Sequence, residues 1–400
     1  MSVYLLTTLD TKGPEAAFVR DRLRALGVPV TVVDTGCIGQ PAFPGEVTRQ
    51  QVFAAAGTTL AALLEHRDRG AAVTQAAAGA AQLVQAAFAR GELDGVLALG
   101  GSAGTTIGTT AMRTLPIGVP KVMVSTLASG QVHPWVGNKD ILMLNSVVDI
   151  AGLNRISRRI LANAASAMAG MVLHQAADAA EDRPVVAATM FGVTTACVLR
   201  AREVLEQAGY EVLVFHATGS GGQAMESLIA DGLIAGVLDI TTTELADELV
   251  GGILTAGPNR LTAAARCGVP QVVSVGAIDM VNFGPPETVP DKFRSRQFYQ
   301  HNPTVTLMRT TVQENAELGR EIGRKVAAST GPAALLVPLR GVSAIDCEGQ
   351  PFDDPQARQA LLAGIRQQHG AIELRELDCH INDPEFAEAA ARKLIEFLEK

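Results

Sequence analysis

The chain has 400 residues, of which 48% are hydrophobic, 18% are charged and 4% are aromatic, and its net charge is −8. This length and apolar content exclude a disordered or fibrous protein and are enough for two domains. The acidic balance argues against nucleic acid as a partner, and the absence of an apolar run of about 18–20 residues argues against a membrane protein.

The amino-terminal residues and the cysteine spacing both bear on the location of the protein, and neither indicates a secreted protein. The amino-terminal residues MSVYLLTTLDTKG form a strand pattern rather than a signal peptide, so a cytoplasmic location is expected. The five cysteines are widely spaced and include no Cys-x-x-Cys pair, which favours buried thiols over disulfides or a zinc site. They are Cys37, Cys197, Cys267, Cys347 and Cys379.

Short apolar runs alternate with Ala/Leu-rich helical stretches along the chain, which predicts an α/β fold with largely parallel sheets. The first four predicted strands are Val3 to Thr7, Val30 to Val33, Gly95 to Leu99 and Lys121 to Val124. The second four are Pro184 to Thr189, Glu211 to Phe215, Gly236 to Ile240 and Gln271 to Val275.

The two sets of strands repeat one pattern. Residues 94–101 (DGVLALGG) align with 235–242 (AGVLDITT), and 118–125 (GVPKVMVS) align with 268–275 (GVPQVVSV). We therefore predict two similar doubly wound, Rossmann-like parallel-sheet domains with a cleft between them, spanning 1–180 and 181–400. The boundary is placed in the charged segment 176–184, and a helix over 152–174 either closes the first domain or packs a second subunit through its small residues.

Ligands of open parallel sheets bind beyond the carboxyl ends of the strands. The segment GGSAGTT follows the third strand and precedes a helix, so its amides and hydroxyls can cradle a phosphate. The alternative is a glycine turn that only brings the helix against the sheet. The candidate phosphate-binding residues here are Gly100, Gly101, Ser102, Gly104, Thr105 and Thr106, with Ser125 and Ser129 after the fourth strand and Asp10, Thr11 and Lys12 after the first.

The segment HATGSGG after the sixth strand is a second candidate cradle. Its phosphate-binding candidates are Thr218, Gly219, Ser220, Gly221 and Gly222. Lys12 can neutralise a phosphate and His216 can exchange protons, so these two are the candidate catalytic residues. A solvated loop lysine and a structural histidine are the alternatives.

Acidic residues after two neighbouring strands suit a divalent cation such as Mg²⁺. Asp239 and Asp279 are the candidate metal ligands, whereas Glu244 and Asp247 are expected in the first turn of a helix capped by Thr242 or Thr243. Arg260 and Arg309 are expected to pair with a ligand anion or to form surface salt bridges. No nucleophile motif, zinc-protease motif or kinase motif is present.

Six segments resemble one family in the same order along the chain. They are TTLDTKGPE, LGGSAGTTIGTTAMRTLPIGVPKVMVSTLASG, DILMLNSVVDIAGLNRIS, FHATGSGGQAMESLI, DITTTELADELVGG and DMVNFG. The chain resembles a family of bacterial and fungal proteins without a settled reaction. Its best-known relative is the amino-terminal, ATP-binding and virus-inhibiting domain of a plant tobamovirus-resistance protein.

The resemblance implies a two-subdomain α/β protein that binds ATP with Mg²⁺ and forms a homodimer. It also implies that the barrel-like region that follows in the plant relative is a separate partner protein here. The family loop usually reads GGSGGT, whereas this chain has Ala103 at the middle glycine, which is tolerable if its φ is negative. Ala196 likewise stands where a proline often follows FGVTT.

Three hypotheses follow for function. The first is an ATP-binding enzyme or enzyme subunit. The second is a regulatory module that binds a phosphorylated ligand without turnover. The third is a lyase, isomerase or transferase that acts on a small phosphorylated or carboxylated metabolite, with acid and base groups from Asp10, Lys12, His216 and Asp279.

Overall fold

The computed structural model describes residues 1–65, 68–174 and 183–400. The chain divides into two compact units, Met1–Ala179 and Ala180–Lys400. Most of the predicted boundary segment, 176–184, lies outside the described residues. No helix in the described part of the chain is both long enough and apolar enough to cross a bilayer.

The first unit is a five-stranded parallel sheet with helices on both faces. Its elements are β1 (Ser2–Thr7), α1 (Leu9–Ala25), β2 (Val30–Asp34), α2 (Arg49–Ala55), α3 (Leu60–Glu65), α4 (Arg69–Ala89), β3 (Leu93–Gly100), α5 (Ser102–Arg113), β4 (Lys121–Ser125), α6 (His133–Val136), β5 (Leu142–Asn145) and α7 (Arg155–Leu173). The strand order is β2-β1-β3-β4-β5.

The second unit has a six-stranded parallel sheet and a small antiparallel sheet. Its elements are β6 (Val185–Met190), α8 (Thr195–Gln207), β7 (Glu211–His216), α9 (Ser220–Ala230), β8 (Gly236–Thr241), α10 (Thr243–Val250), α11 (Ala263–Cys267), β9 (Gln271–Gly276), β10 (Met280–Phe283), β11 (Phe298–Asn302), β12 (Val305–Arg309), α12 (Val312–Ala327), β13 (Ala333–Pro338), α13 (Pro355–Gln368), β14 (Glu373–Leu377) and α14 (Pro384–Leu398). Three single-turn 3₁₀ segments complete it: Gly192–Thr194, Pro286–Thr288 and Asp291–Phe293.

The predicted repeat is confirmed in the topology of the two parallel sheets. The second sheet has the order β7-β6-β8-β9-β13-β14, so its first four strands repeat the order of the first sheet. All eight predicted strands are present, and the fold is the expected pair of Rossmann-like α/β domains.

Small apolar residues let the helices approach the first sheet closely. Helix α4 buries alanines such as Ala76 and Ala80 against one face of the sheet, beside α2 and α5. Helices α1 and α7 cover the opposite face. In α7, Ala165 and Ala169 pack into this core, so these two small residues face their own unit and favour the interpretation that the helix closes the first domain.

A segment between β9 and α12 distinguishes the second unit from the first. Strands β10, β12 and β11 form an antiparallel sheet whose residues join Val193, Ala277 and Phe352 in a separate apolar cluster. Ala277 directly follows β9 and is fully buried. The carboxyl end of β9 is therefore covered by the unit's own chain.

Candidate functional site

A cavity of about 210 Å³ lies at the carboxyl ends of the strands in the first unit. It lies where β1 and β3 are neighbours and their following helices, α1 and α5, pack on opposite faces, which is the position that ligands take in such sheets. We call it the switch-point cavity. It is lined by Thr8, Asp10, Thr11 and Lys12 after β1, by Thr35, Cys37 and Ile38 after β2, by Gly100 to Gly104 and Ile107 around the start of α5, and by Arg69 and Val73 on α4.

The amino terminus of α5 opens on this cavity. Gly101 precedes the helix and provides no side-chain cap, and within the described residues no hydrogen bond uses the amides of Ser102, Ala103 or Gly104. Unpaired amides at a helix start carry partial positive charge and bind anions. Ala103 has a negative φ, as the resemblance to GGSGGT requires.

The glycines of this loop have different roles. A Cβ on Gly100 would lie 2.8 Å from the Gly104 Cα, so Gly100 allows the helix to approach the strand. A Cβ on Gly101 would meet nothing closer than the Thr126 Oγ1 at 3.8 Å. Packing therefore explains Gly100 but leaves Gly101 without a packing role.

The hydroxyls predicted to bind phosphate mostly hold the loop together. Thr105 donates to the Gly101 carbonyl at 2.8 Å and lies 2.6 Å from the Ser125 hydroxyl, which also accepts from the Leu127 amide at 2.9 Å. The Thr106 hydroxyl bonds back to the Ser102 carbonyl at 3.0 Å. Thr105, Thr106 and Ser125 do not line the cavity, and neither does the exposed Ser129. Ser102 is the hydroxyl of this loop that does.

Two cationic side chains line the cavity. Lys12 lies at a kink in α1, with φ −127° and ψ 22°, and its ammonium donates to the Ile150 carbonyl. Arg69 is exposed and makes no hydrogen bond or ion pair within the described residues. Arg69 is not among the residues predicted from the sequence. A signal existed, because a basic residue in the first turn of a helix opposes the helix dipole and is unfavourable without an anion.

Asp10 shapes the cavity wall rather than offering a free carboxylate. Its Oδ2 accepts from the amides of Ile38 at 2.8 Å and Gly39 at 3.2 Å and lies 3.7 Å from the Arg49 guanidinium. Thr11 shares a 2.7 Å hydrogen bond with Thr8. Asp10 thus holds the segment after β2 against the start of α1.

The second predicted cradle is filled by the chain's own carboxylate. The Glu244 Oε1 accepts from the amides of Gly219 at 2.7 Å and Gly222 at 3.0 Å. A Cβ on Gly222 would lie 2.2 Å from the Glu244 Oε2. The amides of the HATGSGG segment therefore already hold an anion. Thr218 bonds to the His216 carbonyl at 3.3 Å, while Ser220 and Gly221 begin α9.

A buried guanidinium balances this carboxylate. Arg260 is fully buried and donates to Glu244 at 2.6 Å and to both oxygens of Asp239 at 2.5 and 2.7 Å. Thr189 also donates to Asp239 at 2.7 Å. Arg260 is therefore an internal counter-ion and not the surface or ligand-binding residue that was expected.

The proposed pair of metal ligands does not fit Mg²⁺. Both oxygens of Asp239 are committed to Arg260 and Thr189, as just described. Asp279 belongs to a different cluster, where it accepts from Ser343 at 2.8 Å. Burial and the charge of Asp346 raise the pKa of Asp279, whereas Arg309 opposes the increase. Arg309 is itself buried and bonds to Asp346 at 3.2 Å.

The helix start predicted for Glu244 and Asp247 is confirmed in part, because Thr242 precedes α10 and Glu244 lies in its first turn, whereas Asp247 lies beyond that turn. The predicted side-chain cap is wrong, since the Thr242 hydroxyl donates instead to the Ser274 carbonyl at 3.1 Å. Asp247 is buried and accepts from the side-chain amide of Asn282 at 2.6 Å, and burial raises its pKa to about 7. Both acids bind residues of other elements instead of the start of α10.

His216, the predicted proton-transfer residue, belongs to the second unit and does not line the switch-point cavity. It ends β7, an edge strand, and is exposed, with its ring 5.5 Å from the ring of Phe191. Among the described residues that line the cavity, the titratable groups are Asp10, Lys12, Cys37 and Arg69. Burial and the charge of Asp10 raise the pKa of the Cys37 thiol, which therefore stays protonated.

Comparisons with known proteins place the whole chain in one family. Residues 1–177 match the model described as "Uncharacterised protein family (UPF0261) N-terminal domain", and residues 183–398 match that of its C-terminal domain. A UPF0261 protein of Clostridium tetani is 49% identical over 100% of this chain and 99% of its own length. The ToMV resistance protein Tm-1(GCR237) of Solanum lycopersicum is 45% identical over 77% of this chain, which covers 42% of the tomato protein.

A solved structure titled as a complex of S. aureus MnaA with UDP aligns with 99% of this chain and 95% of its own, at 9% identity and a TM-score of 0.21. That score is too low to support an argument about fold or ligand. The two family models and the full-length relative agree over both units, and the chain belongs to the UPF0261 family.

Proposed function

We propose that the first unit binds the phosphate groups of a nucleotide, ATP, in the switch-point cavity. The observation that carries this proposal is the set of unpaired amides of Ser102, Ala103 and Gly104 at the start of α5. Lys12 and Arg69 line the same cavity and add two positive charges. Backbone donors together with a few cations suffice for a phosphate, so the net charge of −8 is compatible with this ligand.

The cavity is expected to receive only part of ATP. Its volume of about 210 Å³ is below the roughly 300–1,000 Å³ of cavities that enclose a whole small-molecule ligand. Phosphates would lie at the amino terminus of α5. Ile38 is 63% exposed at the cavity and offers an apolar surface to the remainder of the ligand.

Mg²⁺, the homodimer and a separate barrel-like partner protein remain proposals that rest on the family resemblance. Asp239 is committed to Arg260 and Thr189, Asp279 belongs to a different cluster, and Asp10 already accepts from two amides beside Arg49. We therefore assign no metal ligand from this chain. Titrations with and without Mg²⁺ test whether the ion is needed for ATP to bind.

A second candidate is a regulatory module that binds ATP without turnover. One observation favours it: among the described residues the cavity lining offers no imidazole, its thiol is protonated, and one oxygen of its aspartate already accepts from two amides. Incubation with ATP and a metabolite panel for several hours separates the candidates. Turnover lost in Lys12→Ala would indicate an enzyme, whereas tight binding without turnover would indicate a module.

Isothermal titration calorimetry with ATP tests the binding proposal. The wild-type chain should bind saturably, and Lys12→Met should weaken binding about 10- to 100-fold because a charge-assisted hydrogen bond is lost. Arg24→Met is the matched control, since Arg24 pairs with Glu46 on the surface and does not line the cavity. No heat at millimolar ATP, or equal effects of the two variants, would contradict the proposal.

A further inference from the structure

Thr35 offers the switch-point cavity a side-chain hydroxyl that no other described residue uses. It follows β2 directly, is 1% exposed and lines the cavity. Its amide donates to the Thr7 carbonyl at 2.9 Å, which fixes the backbone. Its hydroxyl makes no hydrogen bond with any residue in 1–65, 68–174 or 183–400. Because Thr35 lines the cavity and its hydroxyl oxygen is not enclosed by the protein, this hydroxyl is available to a ligand.

The neighbouring acid cannot take this role. Asp34 accepts from the amides of Leu9 at 3.1 Å and Gly36 at 2.9 Å, and from the Arg49 guanidinium at 2.7 Å. In dinucleotide-binding sheets an acid near the end of the second strand binds a sugar hydroxyl. Here the acid is committed to the protein, and Thr35 is the polar side chain that remains at this strand end.

The strand order sets the distance between Thr35 and the anion-binding amides. Thr35 follows β2 and the amides follow β3, with β1 between them. Two strand spacings place the two walls about 10 Å apart. Hydrogen bonds of about 3 Å at each wall leave about 4 Å between the two ligand atoms that they bind. A phosphate oxygen and a hydroxyl of the attached pentose are separated by a distance of this order.

We propose that the Thr35 hydroxyl binds a hydroxyl of the sugar next to the phosphate. The ligand class of the cavity is then a phosphorylated sugar, either free or as part of a nucleotide. This inference rests on the proposed function, because it takes the phosphate to lie at the start of α5. The cavity volume of about 210 Å³ suits a phosphate with one sugar ring better than a complete nucleotide.

Calorimetry with ATP, ribose 5-phosphate and inorganic phosphate tests the inference. Thr35→Val should weaken ATP and ribose 5-phosphate about 3- to 10-fold through the lost hydrogen bond and leave inorganic phosphate unchanged. Thr35→Ser, which keeps the hydroxyl, should restore the affinity. Thr114→Val is the matched control, because its hydroxyl only donates to the Ala111 carbonyl at the end of α5.

The outcomes separate this inference from the proposed function. If the wild type binds none of the three ligands, both fail. If ATP binds but Thr35→Val binds all ligands as the wild type does, the sugar contact is overturned and the phosphate site stands. Equal weakening of all three ligands would also overturn it. If Thr35→Val weakens both ligands and ribose 5-phosphate binds nearly as well as ATP, the inference is supported and the ligand is a free sugar phosphate. If ATP binds, ribose 5-phosphate does not, and Thr35→Val weakens ATP, the inference is supported and the ligand is a nucleotide.

Discussion

Ala103 and Glu244 occupy the same position in the two units. Each is the second residue of the helix that follows the third strand of its parallel sheet, α5 in one unit and α10 in the other. Ala103 lines the switch-point cavity, whereas the Glu244 carboxylate is bound by Gly219, Gly222 and Arg260. The start of α5 is thus open to an anion, whereas in the second unit the side chain at the equivalent helix position supplies a carboxylate to the amides at the start of α9.

This relationship predicts that Ala103→Glu blocks the site in the first unit. A carboxylate at this position would meet the ligand phosphate, and like charges in contact cost several kcal/mol, so ATP affinity should fall at least about 100-fold. Folding stability should be unchanged or slightly higher, because an acid in the first turn favours a helix. Calorimetry and urea unfolding measure the two effects.

Ala103→Gln is the control for the size of the new side chain. It should weaken ATP clearly less than Ala103→Glu does, because it adds no charge. Equal losses in the two variants would show that volume rather than charge excludes the ligand. Unchanged ATP affinity in Ala103→Glu would show that the phosphates bind elsewhere.

Removing the buried guanidinium should destabilise the second unit. Arg260→Met leaves Asp239 and Glu244 buried without their counter-ion, and breaking such a cluster costs about 3–5 kcal/mol. Arg340→Met should leave the free energy of unfolding nearly unchanged, since Arg340 pairs with Asp378 on the surface. The free energy of unfolding in urea measures both, and a cost for Arg260→Met as small as that of the control would contradict the assignment.

The adjacent glycines 100 and 101 should differ in their tolerance of a methyl group. Gly100→Ala forces a Cβ to within 2.8 Å of the Gly104 Cα, so we expect a loss of about 1–3 kcal/mol in unfolding free energy. Gly101→Ala should leave stability nearly unchanged, because its Cβ has room. Thermal unfolding followed by circular dichroism compares them. A larger loss for Gly101→Ala would mean that this loop packs differently.

The buried acids of the second unit should make stability depend on pH. The raised pKa values of Asp247 and Asp279 mean that the folded chain binds more protons than the unfolded chain between about pH 4 and pH 7. Unfolding free energy should therefore rise as the pH is lowered from 8 to 5. Asp279→Asn should add about 1–3 kcal/mol at pH 8 and flatten this dependence. A steeper dependence in the variant would contradict it.

The eight strands and their repeated order could be predicted from the sequence because each of them is a short apolar run followed by a helical pattern. Three strands of the parallel sheets, β5, β13 and β14, were missed. Strands β5 and β14 lie at sheet edges, where polar residues such as Asn145, Glu373 and Arg375 interrupt the apolar pattern. Strand β13 is a buried apolar run that lies outside the repeated four-strand pattern. The antiparallel strands β10, β11 and β12 depend on pairing with each other, and local sequence carries little information about such pairing.

At the site, the sequence indicated the loop but not the partners of its residues. The residues Gly100 to Gly104 and Lys12 line one cavity because they follow neighbouring strands. The HATGSGG segment has the same local character, yet Glu244 and Arg260, distant in sequence, fill it. Long-range ion pairs of this kind leave no local signal. Thr35 was overlooked for a related reason, since only the structure shows that its hydroxyl lacks a partner.

A crystal structure of the chain with ATP tests the phosphate site most directly. We expect electron density for at least one phosphate within hydrogen-bond distance of the amides of Ser102, Ala103 and Gly104, with Lys12 or Arg69 beside it. We also expect no phosphate at the amides of Gly219 and Gly222, which already bind Glu244. Bound ATP with no phosphate at the start of α5 would contradict the account.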